Sequence, residues 1–260
     1  MTKTTTLAAL FAACAGLAAC GGGGDSTPPA PPPLQQTFSY VPPALGAVDV
    51  WTRTLTDNLG TSVTLQLRQR VTQQWPDGSE IWTYDDPSGV VETHDGLTFR
   101  TTPQADDVAA NGNVMDYTNT HLDGTQVTCA YGPATNGTAA ANVGRVTALA
   151  ARRPQSISIG QTWTSTYTIS CVGQVPVTYR ATADVVGYET VTVPAGTFQA
   201  VKETVMLSYV DNGLAGTAST TLWRDPAHSM FAVKSDETIT HDGATTAYIA
   251  RDQRELSSRQ

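Results

Sequence analysis

The stretch that decides the fold is Trp163-Thr-Ser-Thr-Tyr-Thr-Ile-Ser-Cys171, in which every second residue is a threonine or a serine. Trp163, Ser165, Tyr167, Ile169 and Cys171 fall on one face of an extended chain, and the small polar residues fall on the other. A period of two is that of a β-strand. One apolar and one polar face suit an antiparallel sheet with one side in water. We therefore predict such a strand over residues 163–171.

The same alternation recurs on both sides of this stretch. Apolar residues occupy most of the alternate positions over residues 63–71, 175–185 and 201–209. Between these runs stand turn sequences in which an aspartate or asparagine precedes a glycine, at residues 77–78, 95–96, 123–124, 212–213 and 242–243; such pairs are strong hairpin signals. We predict an all-β fold, a curved antiparallel sheet of half-barrel or sandwich-like form, over residues 38–260.

Two features leave the organisation of this domain open. Residues 139–153 read either as a helix or as a connecting loop, so an α+β fold with one helix packed on the sheet is the alternative. The segments Trp51-Thr-Arg-Thr-Leu-Thr56 and Trp163-Thr-Ser-Thr-Tyr-Thr168 share the pattern Trp-Thr-x-Thr-x-Thr. This match indicates a duplication with halves at residues 38–135 and 155–256, although threonine-rich strands also produce such matches by chance.

The charge of the chain excludes one class of partner. The sequence carries 15 Lys and Arg against 23 Asp and Glu, a net charge of −8. Binding to a phosphate backbone requires grouped lysines and arginines. We therefore predict no nucleic-acid partner.

Residues 1–19 have the form of a secretory signal peptide. Lys3 precedes an uncharged run over residues 7–19, which is shorter than the roughly 20 apolar residues of a transmembrane helix. The run ends in Leu17-Ala18-Ala19-Cys20, which resembles the lipobox of bacterial lipoproteins. The resemblance implies cleavage before Cys20, a diacylglycerol thioether on its sulfur and acylation, for example by palmitate, of the new amino terminus. The partner implied is a membrane, reached through the lipid anchor.

A tether rich in glycine and proline follows at residues 20–37. Gly21–Gly24 is flexible, and the prolines between residues 28 and 33 favour an extended path. Gly21 stands where the lipoprotein sorting rule places an aspartate for retention in the inner membrane. The resemblance therefore implies the outer membrane, with the domain facing the periplasm or the cell surface.

Residues 155–256 resemble a second group of proteins. The motif Val193-Pro-Ala-Gly-Thr-Phe198, followed by Trp223-Arg-Asp-Pro226 and Val233-Lys234, is similar to a pattern in bacterial envelope proteins described mainly as a domain of unknown function. Ala227-His-Ser-Met-Phe231 departs from the glycine-rich turn of that group. The resemblance supplies no catalytic residues. From the residues alone, Pro194-Ala-Gly-Thr197 predicts a tight turn between two strands.

The four cysteines divide into two kinds. Cys14 leaves with the leader and Cys20 is the lipid site, so Cys129 and Cys171 remain in the domain. In an oxidising compartment we predict that these two form a disulfide. The alternative is two separate thiols, with Cys171 buried on the apolar face of its strand.

The sequence nominates no catalytic group. His94-Asp95, His121-Leu-Asp123 and His241-Asp242 each precede a glycine and predict turns rather than a metal site. No Gly-x-Ser-x-Gly elbow is present, and the one glycine-rich run follows the lipid site rather than a strand. We predict no metal, no cofactor and no catalytic residue.

Large aromatic residues interrupt the threonine-rich strands. In a curved sheet they would line an apolar pocket; the alternative is that they fill the core. The candidate pocket residues are Trp51, Trp163, Tyr167, Tyr179 and Trp223.

These features favour a lipid-anchored, non-enzymatic module that binds an apolar ligand or an envelope partner protein. One alternative is a structural or assembly lipoprotein with a filled core and no ligand. Another is an unrecognised periplasmic hydrolase, which requires a serine, a histidine and a carboxylate in one cleft.

Overall fold

The computed structural model describes residues 36–133, 153–211, 213–228 and 231–260, and every regular element within these ranges is a β-strand. The all-β prediction is confirmed. The strands are β1 (Thr37–Ser39), β2 (Val48–Asp57), β3 (Ser62–Gln74), β4 (Glu80–Asp85), β5 (Glu92–His94), β6 (Leu97–Phe99), β7 (Gln104–Val108), β8 (Val114–Thr120), β9 (Gln126–Pro133), β10 (Ser156–Ser158), β11 (Thr162–Cys171), β12 (Val177–Val193), β13 (Gly196–Asp211), β14 (Leu214–Arg224), β15 (Ala232–His241) and β16 (Ile249–Arg259).

Twelve of the described strands form one closed antiparallel barrel, so the sheet closes fully where a half-barrel or sandwich was predicted. Its order is β11-β12-β13-β14-β15-β16-β2-β3-β4-β7-β8-β9, and β9 pairs with β11 to complete the circle. Most neighbours in the barrel are joined by short hairpins, which suits antiparallel pairing. Two seams connect strands distant in sequence: β16 with β2, and β9 with β11.

The seam between β9 and β11 carries the disulfide. Cys129 and Cys171 are directly opposite in the register of the two strands, and their sulfur atoms are bonded. The predicted pairing of these two cysteines is confirmed. In the chain-entropy model, closing a loop of 42 residues stabilises the fold by roughly 4 kcal/mol.

Each half of the predicted duplication supplies six barrel strands, from residues 48–133 and from residues 162–259. Trp51 and Trp163 lie on the first strand of each set. The duplication stays a prediction.

The predicted turns between the strands are present where the structure describes them. Glycines 78, 96, 124 and 243 all have a positive φ. This is the backbone conformation that glycine adopts readily and that the Asp-Gly sequences predicted. The Val193–Gly196 hairpin connects β12 to β13 directly, as the Pro-Ala-Gly-Thr sequence predicted. Two further pairs of described strands, β1 with β10 and β5 with β6, form separate two-stranded sheets.

The buried residues include charged side chains as well as apolar ones. Apolar clusters surround Trp51, Tyr40, Phe99 and Ile157. Glu80, Glu203 and Asp252 are also buried, the two glutamates completely. Because a buried charge is costly unless it is paired, each of these carboxylates requires a partner or a functional role.

Candidate functional site

A cavity of about 270 Å³ lies inside the barrel, between β4 on one wall and β11 to β14 on the other. Its lining combines aromatic rings with a small group of charges, the combination typical of ligand pockets. The lining residues are Tyr40, Trp82, Gly112, Asn113, Arg153, Trp163, Tyr167, Ala181, Glu203, Val205, Leu207, Arg224 and Phe231.

Strand register explains why there is space at this position. Trp163 and Tyr167 lie on the same face of β11, four residues apart. Trp163 is opposite Ala183 on β12, and Ser165 is opposite Ala181. Both alanines are buried. The small side chains of Ala181 and Ala183 therefore leave space beside the Trp163 ring, whereas Tyr167 is opposite a third ring, Tyr179.

An aromatic cluster forms another part of the cavity wall. The rings of Tyr40, Trp82 and Phe231 lie with centroids 5.0 to 6.5 Å apart. Gly112 makes this arrangement possible, because a Cβ at that position would lie 2.7 Å from the Tyr40 ring. Glu80 anchors the cluster: its Oε2 accepts hydrogen bonds from the Tyr40 hydroxyl at 3.1 Å and from Trp82 Nε1 at 2.8 Å.

Glu203 is the buried acid within the cavity. Its Oε2 accepts a hydrogen bond from Arg224 Nε at 2.5 Å, and its Oε1 accepts one from Trp163 Nε1 at 3.2 Å. Burial acts to raise the pKa of the Glu203 carboxyl, but Arg224 and Arg153 outweigh burial and hold that pKa below its ordinary value. Glu203 is therefore ionised at neutral pH.

Arg153 is the second cation beside Glu203, and it is less well paired. Its Nε lies 3.7 Å from Glu203 Oε1, beyond hydrogen-bond distance, and this buried nitrogen has no hydrogen-bond partner. Burial and the neighbouring Arg224 lower the pKa of Arg153 to about 9, although Glu203 partly offsets them. Asn113 fixes the backbone here, since it accepts from Arg153 N and donates to Arg153 O, both at 3.0 Å.

The structure divides the five predicted pocket residues. Trp163 and Tyr167 line the cavity. Tyr179 stacks on Tyr167, with ring centroids 5.4 Å apart, and lines a separate cavity of about 420 Å³. Trp51 is buried in an apolar cluster with Leu67, Val191, Val193, Ala200, Val233 and Leu256, and Trp223 packs, partly buried, against that cluster with Lys202 and Lys234 near its ring. Neither of these two tryptophans lines the cavity, and Trp51 belongs to the core.

Sequence reasoning missed the charged members of the site, and one signal was available. Glu203 occupies an apolar-face position of the β13 run, between Val201 and Val205. A charged residue in a core position requires a partner or a function. Arg153 offered no such signal, because it lies outside the strand runs.

Seven rings on neighbouring strands form a continuous row. Consecutive centroids are 4.8 to 5.9 Å apart. Gly216 leaves room for the row to cross β14, because a Cβ there would lie 2.5 Å from the Tyr209 ring. Tyr167 belongs to both the row and the cavity. The row consists of Tyr117, Tyr131, Tyr167, Tyr179, Tyr209, His241 and Tyr248.

One histidine–carboxylate pair bears on the hydrolase alternative. His228 Nδ1 lies 2.6 Å from Asp225 Oδ2, and His228 borders a cavity of about 370 Å³. Asp225 also accepts a hydrogen bond from Arg259 Nη1 at 3.1 Å. Among the described residues no serine hydroxyl is hydrogen-bonded to His228, so a triad is not formed within them.

Residues 36–133, 153–211, 213–228 and 231–260 contain no group of three or more histidine, cysteine, aspartate or glutamate side chains able to hold a metal ion. The same ranges contain no helix that is long and apolar enough to cross a membrane. The lipobox Leu17, Ala18, Ala19 and Cys20, most of the tether and the helix-or-loop segment 139–152 lie outside the described residues.

No protein-family model matches the chain, and no curated protein sequence is significantly similar to it. Three solved structures are similar in fold. An exported protein of Bacteroides fragilis with a YmcC-like fold has 13% identity and a TM-score of 0.46, covering 86% of this chain and 99% of that one. A Parabacteroides distasonis lipoprotein has 15% identity and a TM-score of 0.43, covering 87% and 100%.

The third is the hypothetical lipoprotein YmcC of Escherichia coli, with 12% identity and a TM-score of 0.39, covering 82% of this chain and 84% of that one. All three TM-scores are below 0.5, so these structures assign neither a family nor an activity. The resemblance of residues 155–256 to the envelope group with the VPAGTF motif stays a prediction.

Proposed function

We propose that this protein is a lipid-anchored envelope protein that binds a small apolar ligand inside its barrel and does no chemistry on it. The observation that carries the proposal is the 270 Å³ interior cavity lined by Trp82, Trp163, Tyr167 and Phe231. Structural cores are normally close-packed. A structural or assembly role needs only a filled barrel, whereas the small side chains opposite Trp163 and Ser165 leave space for a guest.

The ligand proposal is tested on the full chain purified from the membranes of the cells that make it. The bound material is extracted with organic solvent and identified by mass spectrometry. Ala181→Phe places a ring in the cavity, because Ala181 is buried and lines it. Thr182→Phe places the same ring one residue along the strand, where the side chain is exposed, and serves as the matched control.

We expect one apolar compound to accompany the wild type and the Thr182→Phe variant and to be lost from the Ala181→Phe variant. Circular dichroism and thermal melting confirm that both variants are folded. Absence of any compound from the wild type would favour the structural role. Retention of the compound by folded Ala181→Phe would place the ligand elsewhere.

The lipid anchor rests on the Leu17-Ala18-Ala19-Cys20 motif and has its own test. More than one acyl chain is needed for stable anchoring. We expect metabolic labelling with a radioactive fatty acid to mark the wild type and to be abolished by Cys20→Ser. Cys14→Ser alters a cysteine of the leader and is expected to leave the label intact. Density-gradient separation of inner and outer membranes then tests the outer-membrane location.

A further inference from the structure

The cavity holds two arginines but only one carboxylate that pairs with them. Arg224 forms a charge-assisted hydrogen bond to Glu203, whereas Arg153 forms none. The other nearby acid, Glu80, accepts hydrogen bonds from Tyr40, Trp82 and Gln74. No ion pair joins Glu80 to either arginine among the described residues. One positive charge therefore lacks a counter-charge of its own.

An incompletely paired cation in the interior is costly unless an anion reaches it. The Asn113 side chain holds the backbone at Arg153 through two hydrogen bonds, so this guanidinium stays beside the cavity. The remainder of the lining is aromatic and aliphatic, including Trp163, Tyr167 and Val205. A ligand that satisfies both parts has an anionic head and an apolar body.

The volume limits the size of that ligand. At about 30 Å³ for each water-sized group, a cavity of about 270 Å³ holds about nine nonhydrogen atoms. Arg153 and Arg224 share the single charge of Glu203, so a ligand with one negative charge would complete the group. A ligand with two negative charges would bring in a second charge that has no partner. The planar guanidinium fork fits a carboxylate in a bidentate manner.

We propose that the cavity binds a small amphipathic monocarboxylate, whose carboxylate accepts hydrogen bonds from Arg153 while its apolar chain lies against Trp163 and Tyr167. This proposal rests on the proposed function and adds the chemical class of the ligand. The carboxylate completes the arginine–glutamate–arginine group by supplying its second anion.

Binding is measured with three probes of equal chain length: octanoate, 1-octanol and octylamine. The acylated full chain is held in lipid nanodiscs, empty nanodiscs are subtracted, and tryptophan fluorescence reports binding near Trp82 and Trp163 at neutral pH. A hydrogen bond to a charged group accounts for roughly ten- to a hundredfold in affinity. We expect octanoate to bind at least tenfold more tightly than octanol, and octylamine to bind more weakly than either.

Three variants locate the effect. Arg153→Gln is expected to lower octanoate affinity at least tenfold and to leave octanol affinity within twofold of the wild type. Arg153→Lys keeps the charge but loses the planar fork, and it is expected to recover only part of the octanoate affinity that Arg153→Gln loses. Arg53→Gln removes an arginine from the Asp252 ion-pair group, away from this cavity, and is expected to leave octanoate affinity within twofold.

The outcomes separate the carboxylate proposal from the broader one. Equal affinity for octanol and octanoate, unchanged in Arg153→Gln, would overturn the carboxylate proposal and leave an apolar-binding cavity in place. Failure of all three probes to bind would also overturn it, and the solvent-extraction experiment would then judge the proposed function independently. An equal loss of octanoate affinity in Arg53→Gln would assign the effect to general destabilisation.

Discussion

Two buried carboxylates in this protein each lie between two arginines, and the two groups differ in how completely they are bonded. Asp252 receives five hydrogen bonds from Arg53 and Arg254, at 2.6 to 3.2 Å. Glu203 receives one from Arg224 and one from Trp163, while Arg153 stands 3.7 Å away. The first group is complete within the protein and the second is not.

The difference follows from where each arginine originates. Asp252 and Arg254 are two residues apart on β16, and Arg53 lies directly opposite Arg254 on β2. Strand geometry therefore brings all three side chains to one face at close range. Arg153 instead precedes β10, outside the barrel strands, and its backbone is fixed by Asn113. The pairing of β2 with β16 therefore forms the Asp252 group, whereas Arg153 comes from a segment that connects two strands.

The largest expected effect is a loss of stability when the group formed by Asp252, Arg53 and Arg254 is broken. Asp252→Asn leaves Arg53 largely buried and Arg254 partly buried without their shared acid, and breaking such a pair costs about 3 kcal/mol. We expect that loss in the free energy of unfolding by urea. Asp236→Asn is the matched control, because Asp236 pairs with Arg251 on the exposed side of the sheet. That control is expected to cost under about 1 kcal/mol, and equal losses from the two variants would contradict the comparison.

The second prediction compares one arginine from each group. Arg53→Met removes three of the five hydrogen bonds to Asp252 and is expected to lower the free energy of unfolding by about 2–3 kcal/mol. Arg153→Met removes an incompletely paired buried charge. We therefore expect a change under about 1 kcal/mol, or a gain in stability.

Because Asn113 bonds to the backbone at residue 153, that segment keeps its attachment in the Arg153→Met variant. Urea denaturation of the two variants at the same pH and salt concentration makes the comparison. A loss from Arg153→Met as large as that from Arg53→Met would show that Arg153 is structural rather than available to a ligand.

The fold was predictable from the sequence up to the closure of the barrel. Alternation and Asp-Gly turns are local signals, and they indicated antiparallel strands and their hairpins. Closure depends on the β9–β11 and β16–β2 pairings, whose partners are far apart in the chain. No local sequence pattern specifies the register of these two pairings. The alternation and the turns were therefore equally compatible with a half-barrel, a sandwich and a closed barrel.

The candidate site was predictable only in part, for the same reason. Trp51 and Trp163 occur in nearly identical sequence patterns, yet Trp51 lies opposite Leu67 and Leu256, whereas Trp163 lies opposite Ala183. Cross-strand neighbours decide whether a tryptophan packs in a core or borders a cavity. Arg153 reaches Glu203 across fifty residues of sequence and through Asn113, a contact that no spacing rule anticipates.

The smallest expected effect is the loss, at acid pH, of the stability that Asp252 contributes. Burial acts to raise the pKa of Asp252, but Arg254 and Arg53 outweigh it and hold the pKa well below its ordinary value. A depressed carboxyl pKa contributes stability above the unfolded-state value near 4, and that contribution is lost as the pH falls toward the folded-state value. The stability difference between wild type and Asp252→Asn should therefore be constant from pH 8 to 5.

Below pH 5 the same difference should shrink, by about 1 kcal/mol at pH 3, because the unfolded chain takes up a proton there that the folded Asp252 does not. Urea denaturation at each pH measures it, and subtracting the variant removes the contributions of all other carboxyl groups. A difference that stays constant down to pH 3 would show that Asp252 titrates alike in both states. The five hydrogen bonds would then not favour its charged form.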